Sequence, residues 1–174
     1  IFVPAVVNRG RAGSLGCGCI DTDARGSTRA VYLYVRNKKD AMPAPKKILA
    51  IINPISGTKD KEELPALIDE VIDLSKYSVE CRFTQYAGHA DEMTRQAVAD
   101  GVDVVLSVGG DGTCNEIARE LINTSTALAI VPVGSGNGLA RHLGISMDAR
   151  KALEIVNDGV IADLDYCTLS LIHI

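Results

Sequence analysis

The stretch Val104 to Glu116, VVLSVGGDGTCNE, constrains this chain more than any other. Val104, Val105, Leu106 and Val108 form a short β-branched and aliphatic run, the pattern of a strand buried on both faces of a parallel sheet. It ends abruptly in Gly109, Gly110 and Gly112 around Asp111. Without Cβ atoms the backbone there turns tightly and lies close to a ligand. Thr113 and Glu116 then read as a capping box opening a helix. A strand, a glycine turn and a helix N-terminus make an anion site, because unpaired amides and the helix dipole both favour phosphate.

The rest of the chain repeats this alternation. Ile48 to Ile52 reads as a first buried strand running into the turn Asn53, Pro54, Ile55, Ser56, Gly57. Leu64, Leu67, Ile68, Val71 and Ile72 recur at helical spacing, predicting a crossover helix from Glu62 to about Lys76. Ser78 to Gln85 is expected as a second strand with Val79, Cys81 and Phe83 on one face and Thr84 at its end. A helix through Met93, Ala97 and Val98 follows, closing at Gly101, and His89 in its first turn is a capping residue or a phosphate contact. Cys114, Ile117, Ala118, Leu121 and Ile122 form the buried stripe of the next helix. Thr126 to Val131 is a fourth strand, and it too empties into glycines: Gly134, Ser135, Gly136, Asn137, Gly138. Two such turns on neighbouring parallel strands converge on one crevice. Arg141, in a short helix from Leu139 to Leu143, either faces phosphate or caps that helix. Asp148 to Asn157 is a further helix. A last strand is expected through Ile161, Leu164 and Cys167, with Asp163 and Asp165 on one face as a carboxylate pair able to hold Mg²⁺ through water.

The alternation of strand and helix defines an α/β class, an open parallel sheet with helices on both faces. The 174 residues suit one domain, and with 47% apolar residues but only 4% aromatic ones its core is aliphatic. Residues 1 to 47 carry nine Lys/Arg against three Asp/Glu, so the remainder is acidic. An acidic body argues against nucleic acid as a partner, since its phosphates reward clustered cations. Cys17, Cys19, Cys81, Cys114 and Cys167 are odd in number and scattered. They fit neither a disulfide framework nor a zinc site, and a reducing cytoplasm is the expected compartment. No apolar run reaches membrane-spanning length, and IFVPAVV lacks the basic flank of a signal peptide. Residues 8 to 30 read as disorder or a linker, VYLYV at 31 to 35 as a strand or a stray apolar run, and Met42 as a natural start. Residues 1 to 46 are therefore expected to be an extension, and 47 to 174 the domain.

NPISG at 53 to 57, GGDGT at 109 to 113 with Glu116, and PVGSGNGLAR at 132 to 141 together resemble the catalytic domain of diacylglycerol kinases, sphingosine kinases and bacterial lipid kinases. GGDGT alone also occurs in NAD kinases, but the three motifs in order make the likeness specific. It covers Ile48 to about Ser170. The resemblance implies an ATP-dependent lipid kinase using Mg²⁺. Asn53, Pro54, Ile55, Ser56, Gly57 and Thr84 would line the ATP site, Gly109, Gly110, Asp111, Gly112, Thr113 and Glu116 would hold phosphates, and Ser135 and Asn137 would close the crevice. Asp111 would orient Mg²⁺, with Asp165 in the same acidic network. Gly138 departs from the many bacterial relatives that have Asp at this position. The family's second, β-rich domain, with the lipid pocket and the general base, would follow the residues seen here. The implied substrate is a lipid alcohol such as diacylglycerol or a sphingoid base, reached by peripheral membrane contact from the cytoplasm, and a homodimer is compatible with the resemblance. The competing readings are an NAD kinase-like enzyme and a catalytically silent nucleotide-binding module.

Overall fold

The computed structural model describes residues 30–31, 45–57 and 61–166. The main sheet has four strands: β2 (Lys46–Ile52), β3 (Tyr77–Phe83), β4 (Val104–Gly109) and β5 (Ala127–Pro132). They are all parallel, in the spatial order β3-β2-β4-β5. Parallel neighbours need crossovers, supplied by α1 (Leu64–Val71) between β2 and β3, α2 (His89–Ala99) between β3 and β4, and α3 (Asp111–Glu120) between β4 and β5. After β5 come α4 (Gly138–His142) and α5 (Ala149–Asp158). A separate two-stranded sheet pairs β1 (Ala30–Val31) antiparallel with β6 (Leu164–Asp165).

The strand order dictates where the helices lie. Crossovers of one hand place the helix on one face when the chain steps one way along the sheet, and on the other face when it steps back. The chain steps from β2 to β3 in one direction, then reverses past β2 to β4 and on to β5. So α1 belongs on one face, α2 and α3 on the other. The core agrees. Ile48, Ala50 and Ile52 of β2 pack with Leu64 and Ile68 of α1 and Ala152 and Leu153 of α5, whereas Leu49 and Ile51 pack with Met93 and Ala97 of α2 and Ile117 of α3. Alternate residues of one strand thus feed two cores, which is why the run reads as unbroken aliphatic rather than alternating. β3 lies at the sheet edge, and there the alternation is visible: Ser78, Glu80 and Arg82 are exposed between half-buried Val79 and Cys81.

Several boundaries differ from expectation. The first helix spans Leu64–Val71 rather than 62 to 76, because Ile72 is extended (φ -71°, ψ 132°) and the chain turns through Asp73 into β3. Asp163 precedes β6, so it does not share a strand face with Asp165. Cys167, residues 32 to 35 and Met42 lie outside the described residues. Asp148 serves as the N-cap of α5, accepting from Lys151 N at 3.0 Å.

Asn157 of α5 clamps the early end of the α1–β3 connection. Its Nδ2 donates to Val71 O at 2.7 Å and its Oδ1 accepts from Asp73 N at 2.8 Å. Substituting Asn157→Ala leaves two part-buried backbone groups without partners, so we expect a loss of about 2 kcal/mol in urea unfolding. Asn157→Asp, which keeps the acceptor for Asp73 N but sets a carboxylate oxygen against the Val71 carbonyl, should lose at least as much.

Candidate functional site

In an open sheet of this kind ligands bind where neighbouring strands send their chains to opposite faces, at the carboxyl ends. Here that point lies between β2, which exits toward α1, and β4, which exits toward α3. The turns after β2, β3, β4 and β5 all open at this end, and three of the four carry the motifs singled out in the sequence.

α3 holds the other three turns together. Asp111 Oδ1 accepts from Gly138 N at 2.6 Å, Thr113 Oγ1 accepts from Asn53 Nδ2 at 2.9 Å, and Glu116 Oε1 accepts from Gly88 N at 3.2 Å. The β5 turn, the β2 turn and the β3 turn are each tied to one side chain of the same helix. Thr113 and Glu116 stand three residues apart and so share a face. The expected capping box does not form. α3 begins at Asp111 with Gly110 as its N-cap (φ -100°, ψ -167°), which places Thr113 inside the helix, too late to cap it. Its hydroxyl reaches Asn53 instead. No side chain caps the first turn of α3, so the N–H groups of that turn are left to an anion.

The β2 turn is braced from within. Asn53 N donates to Val108 O at 3.0 Å, its Oδ1 accepts from Ile55 N at 3.0 Å, and its carbonyl accepts from Ser56 Oγ at 3.0 Å. Pro54 and Ile55 point outward, Ile55 being 87% exposed. Gly57 has φ +65°, and a Cβ there would overlap the Val133 carbonyl, so this turn rests directly on the β5 turn. Thr84, buried at the end of β3, joins its N–H to Ile52 O at 2.9 Å.

The two glycine turns touch backbone to backbone. A Cβ on Gly134 would overlap Gly110 Cα, and one on Gly136 would stand 2.6 Å from Asp111 Oδ2. Asn137 is in the left-handed region (φ 56°) and buried, with its amide spent on Gly134: Oδ1 accepts from Gly134 N at 3.1 Å and Nδ2 donates to Gly134 O at 2.7 Å. It shapes the turn, while Ser135 is exposed at the rim. Arg141 resolves as a brace, its Nε donating to Gly136 O at 2.9 Å. His89 does not cap α2, whose N-cap is Gly88; its Nδ1 accepts from Gln85 N at 3.1 Å and so braces the turn before the helix. Beneath the turns Cys114 is buried against Ile130 and Ala140. That burial, reinforced by the Asp111 charge, pushes its thiol up to about 12, so it stays protonated and inert.

Asp165 is exposed in the small β1–β6 sheet. Among the described residues no three of His, Cys, Asp and Glu gather where a metal ion would be held. A cavity of about 300 Å³ lies away from the crevice, against the solvent face of β3, lined by Lys47, Glu80, Arg82 and Asp100. Its Arg82 and Glu80 pair with each other at 2.6 Å. We take the strand-end crevice as the site, because uncapped amides, glycine turns and a carboxylate converge only there among these features.

Fold and crevice define a doubly wound α/β class with its candidate site at the carboxyl ends of the strands. The model of the diacylglycerol kinase catalytic domain matches residues 47–169, and the chain belongs to that family. It is 32% identical over 123 residues to a diacylglycerol kinase of Bacillus subtilis (strain 168), covering 69% of this chain and 41% of that protein. It is 36% identical over 93 residues to a probable lipid kinase YegS-like of Pseudomonas syringae pv. syringae (strain B728a), covering 51% of this chain and 30% of that one. A crystal structure titled as a diacylglycerol kinase from Bacillus anthracis str. Sterne shares the fold, with a TM-score of 0.57 at 23% identity over 68% of this chain and 41% of that one. The chain thus spans about two fifths of the length of the diacylglycerol kinases it matches. No helix among the described residues is long and apolar enough to cross a membrane.

Proposed function

We propose that this chain is the nucleotide-binding part of an ATP-dependent lipid kinase that transfers the γ-phosphoryl group to a lipid hydroxyl. The observation that carries the reading is the convergence on α3: three strand-end turns fastened to one helix whose own first turn is uncapped and flanked by glycines. Phosphoryl transfer asks mainly for positioning and charge neutralisation, and these residues are arranged for both. The amides at the start of α3 would hold phosphate. The Asp111 carboxylate, exposed at the mouth of the crevice, suits a hard cation, and Mg²⁺ bound there would neutralise phosphate charge. Gly112 has open space where a Cβ would stand, room for a close approach to the backbone.

The lipid pocket and the general base we assign to the part of the relatives' length that this chain does not span. The lipid is a membrane alcohol of the diacylglycerol or sphingoid type, met at the membrane surface. The residues of this chain then supply the Mg·ATP site. Thermal unfolding with and without saturating Mg·ATP, with NAD for comparison, tests the reading. A ligand at a hundred times its dissociation constant adds about 2.7 kcal/mol, a shift of several degrees. A shift with Mg·ATP and none with NAD is expected. A shift with NAD alone would transfer the chain to an NAD kinase-like reading, and no shift with either would end the nucleotide reading.

A further inference from the structure

β3 closes one side of the main sheet, and among the described residues no strand pairs with its outer edge. The bonds that flank it show which of its groups face β2. Thr84 N donates to Ile52 O and Lys76 O accepts from Lys46 N, each at 2.9 Å, so the even-numbered residues face inward. Alternate residues of a strand turn their N–H and C=O groups to opposite edges, and those of Val79, Cys81 and Phe83 therefore point outward. Such a row is a template for pairing with another strand. β3 keeps its seven residues in unbroken register with β2 and contains no proline, so neither a bulge nor a missing donor blunts the edge.

The side chains along this edge are not arranged to repel a partner. Glu80 and Arg82 are exposed on one face, opposite in sign and two residues apart, and pair with each other at 2.6 Å. The other face carries Val79 and Cys81, half-buried against the core beneath α1, and then Phe83, a large apolar side chain left 41% exposed. Charge protects an edge when like meets like. A charge pair of mixed sign can instead complement itself.

The register in which it does so is unique. Two copies meeting edge to edge about a twofold axis pair their β3 strands antiparallel through the same surface. Outward residues must meet outward residues, so the axis falls on one residue of β3 and never between two. Centred on Val79 or any earlier residue, the pairing would draw on Tyr77, whose N–H is already spent on Asp73 O at 3.0 Å. Centred on Glu80 it would set carboxylate against carboxylate, and on Arg82 guanidinium against guanidinium. Centred on Phe83 it would leave both charges without a charged partner. Centred on Cys81 it sets Glu80 against the second copy's Arg82, twice, and on the other face Val79 against the second copy's Phe83, twice. Opposite charges and apolar pairs directly across two strands are the stabilising combinations, and this register supplies both while covering Phe83.

We infer that the outer edge of β3 is a docking surface for a second copy of this chain, paired antiparallel about Cys81 so that the two main sheets run together. The inference goes beyond the nucleotide reading and does not depend on it, because the two crevices then open at opposite ends of the joined sheet, away from the pairing. One strand pair is small beside a standard interface of roughly 1,600 Å², so the expected dissociation constant is on the order of 10 µM.

Sedimentation velocity of the full chain, from about 1 to about 200 µM to bracket a weak interface of this size, tests it with three variants: Glu80→Arg, Arg82→Glu and the two together. The unsubstituted chain should pass from monomer to dimer across the range. Each single reversal sets like charges against each other and should weaken the dimer at least about tenfold, whereas the double exchange restores opposite charges and should return to within about threefold. Exposed ion pairs contribute little to stability, so all four proteins should unfold alike at the lowest concentration. A monomer at every concentration would overturn the inference. A dimer indifferent to both single reversals would place the association on another surface and overturn it as well. Single reversals that weaken the dimer without rescue in the double exchange would overturn the register.

Discussion

Gly112→Ala should make the free protein more stable and the nucleotide complex weaker, while Gly134→Ala should damage the fold outright. The two glycines belong to the two facing turns, yet their surroundings are opposite. A Cβ on Gly112 meets nothing within 4 Å, and Gly112 is the second residue of α3. Alanine loses less backbone freedom on entering a helix than glycine, which is worth about 0.5–1 kcal/mol. The methyl group then projects into space that, on the proposed reading, a phosphate must approach, so Mg·ATP affinity should fall at least tenfold, or about 1.4 kcal/mol. A Cβ on Gly134 overlaps Gly110 Cα and crowds the Asn137 Oδ1 that Gly134 N itself holds, so neither neighbour can move aside freely. Relief requires separating the turns, and overpacking of this kind costs about 1–3 kcal/mol or more. Thermal unfolding of both variants, each with an ATP titration, reads the opposed signs directly. Gly112→Ala with increased stability and undiminished ATP affinity would remove the first turn of α3 from the phosphate site.

The fold was legible because each main strand is a local apolar run with its own stop signal. Val104 to Val108 and Ile48 to Ile52 are aliphatic enough to declare burial on both faces, and the glycine turns mark where they end. The strand order is not local information. Nothing in the sequence fixes β2 between β3 and β4, and that order is what sets the β2 and β4 turns on either side of one crevice. The motif residues were legible as a set, but several of their tasks were not. Thr113 and Glu116 have the spacing of a capping box, and the same spacing serves two tertiary bonds, to Asn53 and to Gly88, because the helix starts two residues earlier than Thr113. Asn137 carries no sign in sequence that it is buried against Gly134. Nor does sequence show that β3 carries an open edge, since which strand lies outermost follows from the strand order. What sequence conveys least is which polar groups are already spent.

That distinction decides the second large effect, at Asp111. Its carboxylate both fastens the β5 turn, through Gly138 N, and contributes the negative charge at the crevice mouth. Asp111→Asn separates the two tasks, because an amide oxygen can still accept from Gly138 N while the charge is gone. The free variant should therefore unfold within about 0.5 kcal/mol of the unsubstituted chain, whereas Asp111→Ala, which strands the Gly138 N–H, should lose about 1 kcal/mol. On the proposed reading the charge shows itself in binding, and its sign depends on the metal. Without Mg²⁺ the carboxylate repels phosphate, so Asp111→Asn should bind metal-free ATP more tightly than the unsubstituted chain does. With Mg²⁺ the carboxylate is a favourable partner for the cation, so the same variant should bind Mg·ATP at least tenfold more weakly, about 1.4 kcal/mol. Titration of both proteins with ATP in chelator and in excess Mg²⁺ should give affinities that cross. Parallel losses in the two conditions would mean that Asp111 acts only by shaping the turns, and the cation would then have to be held by other residues.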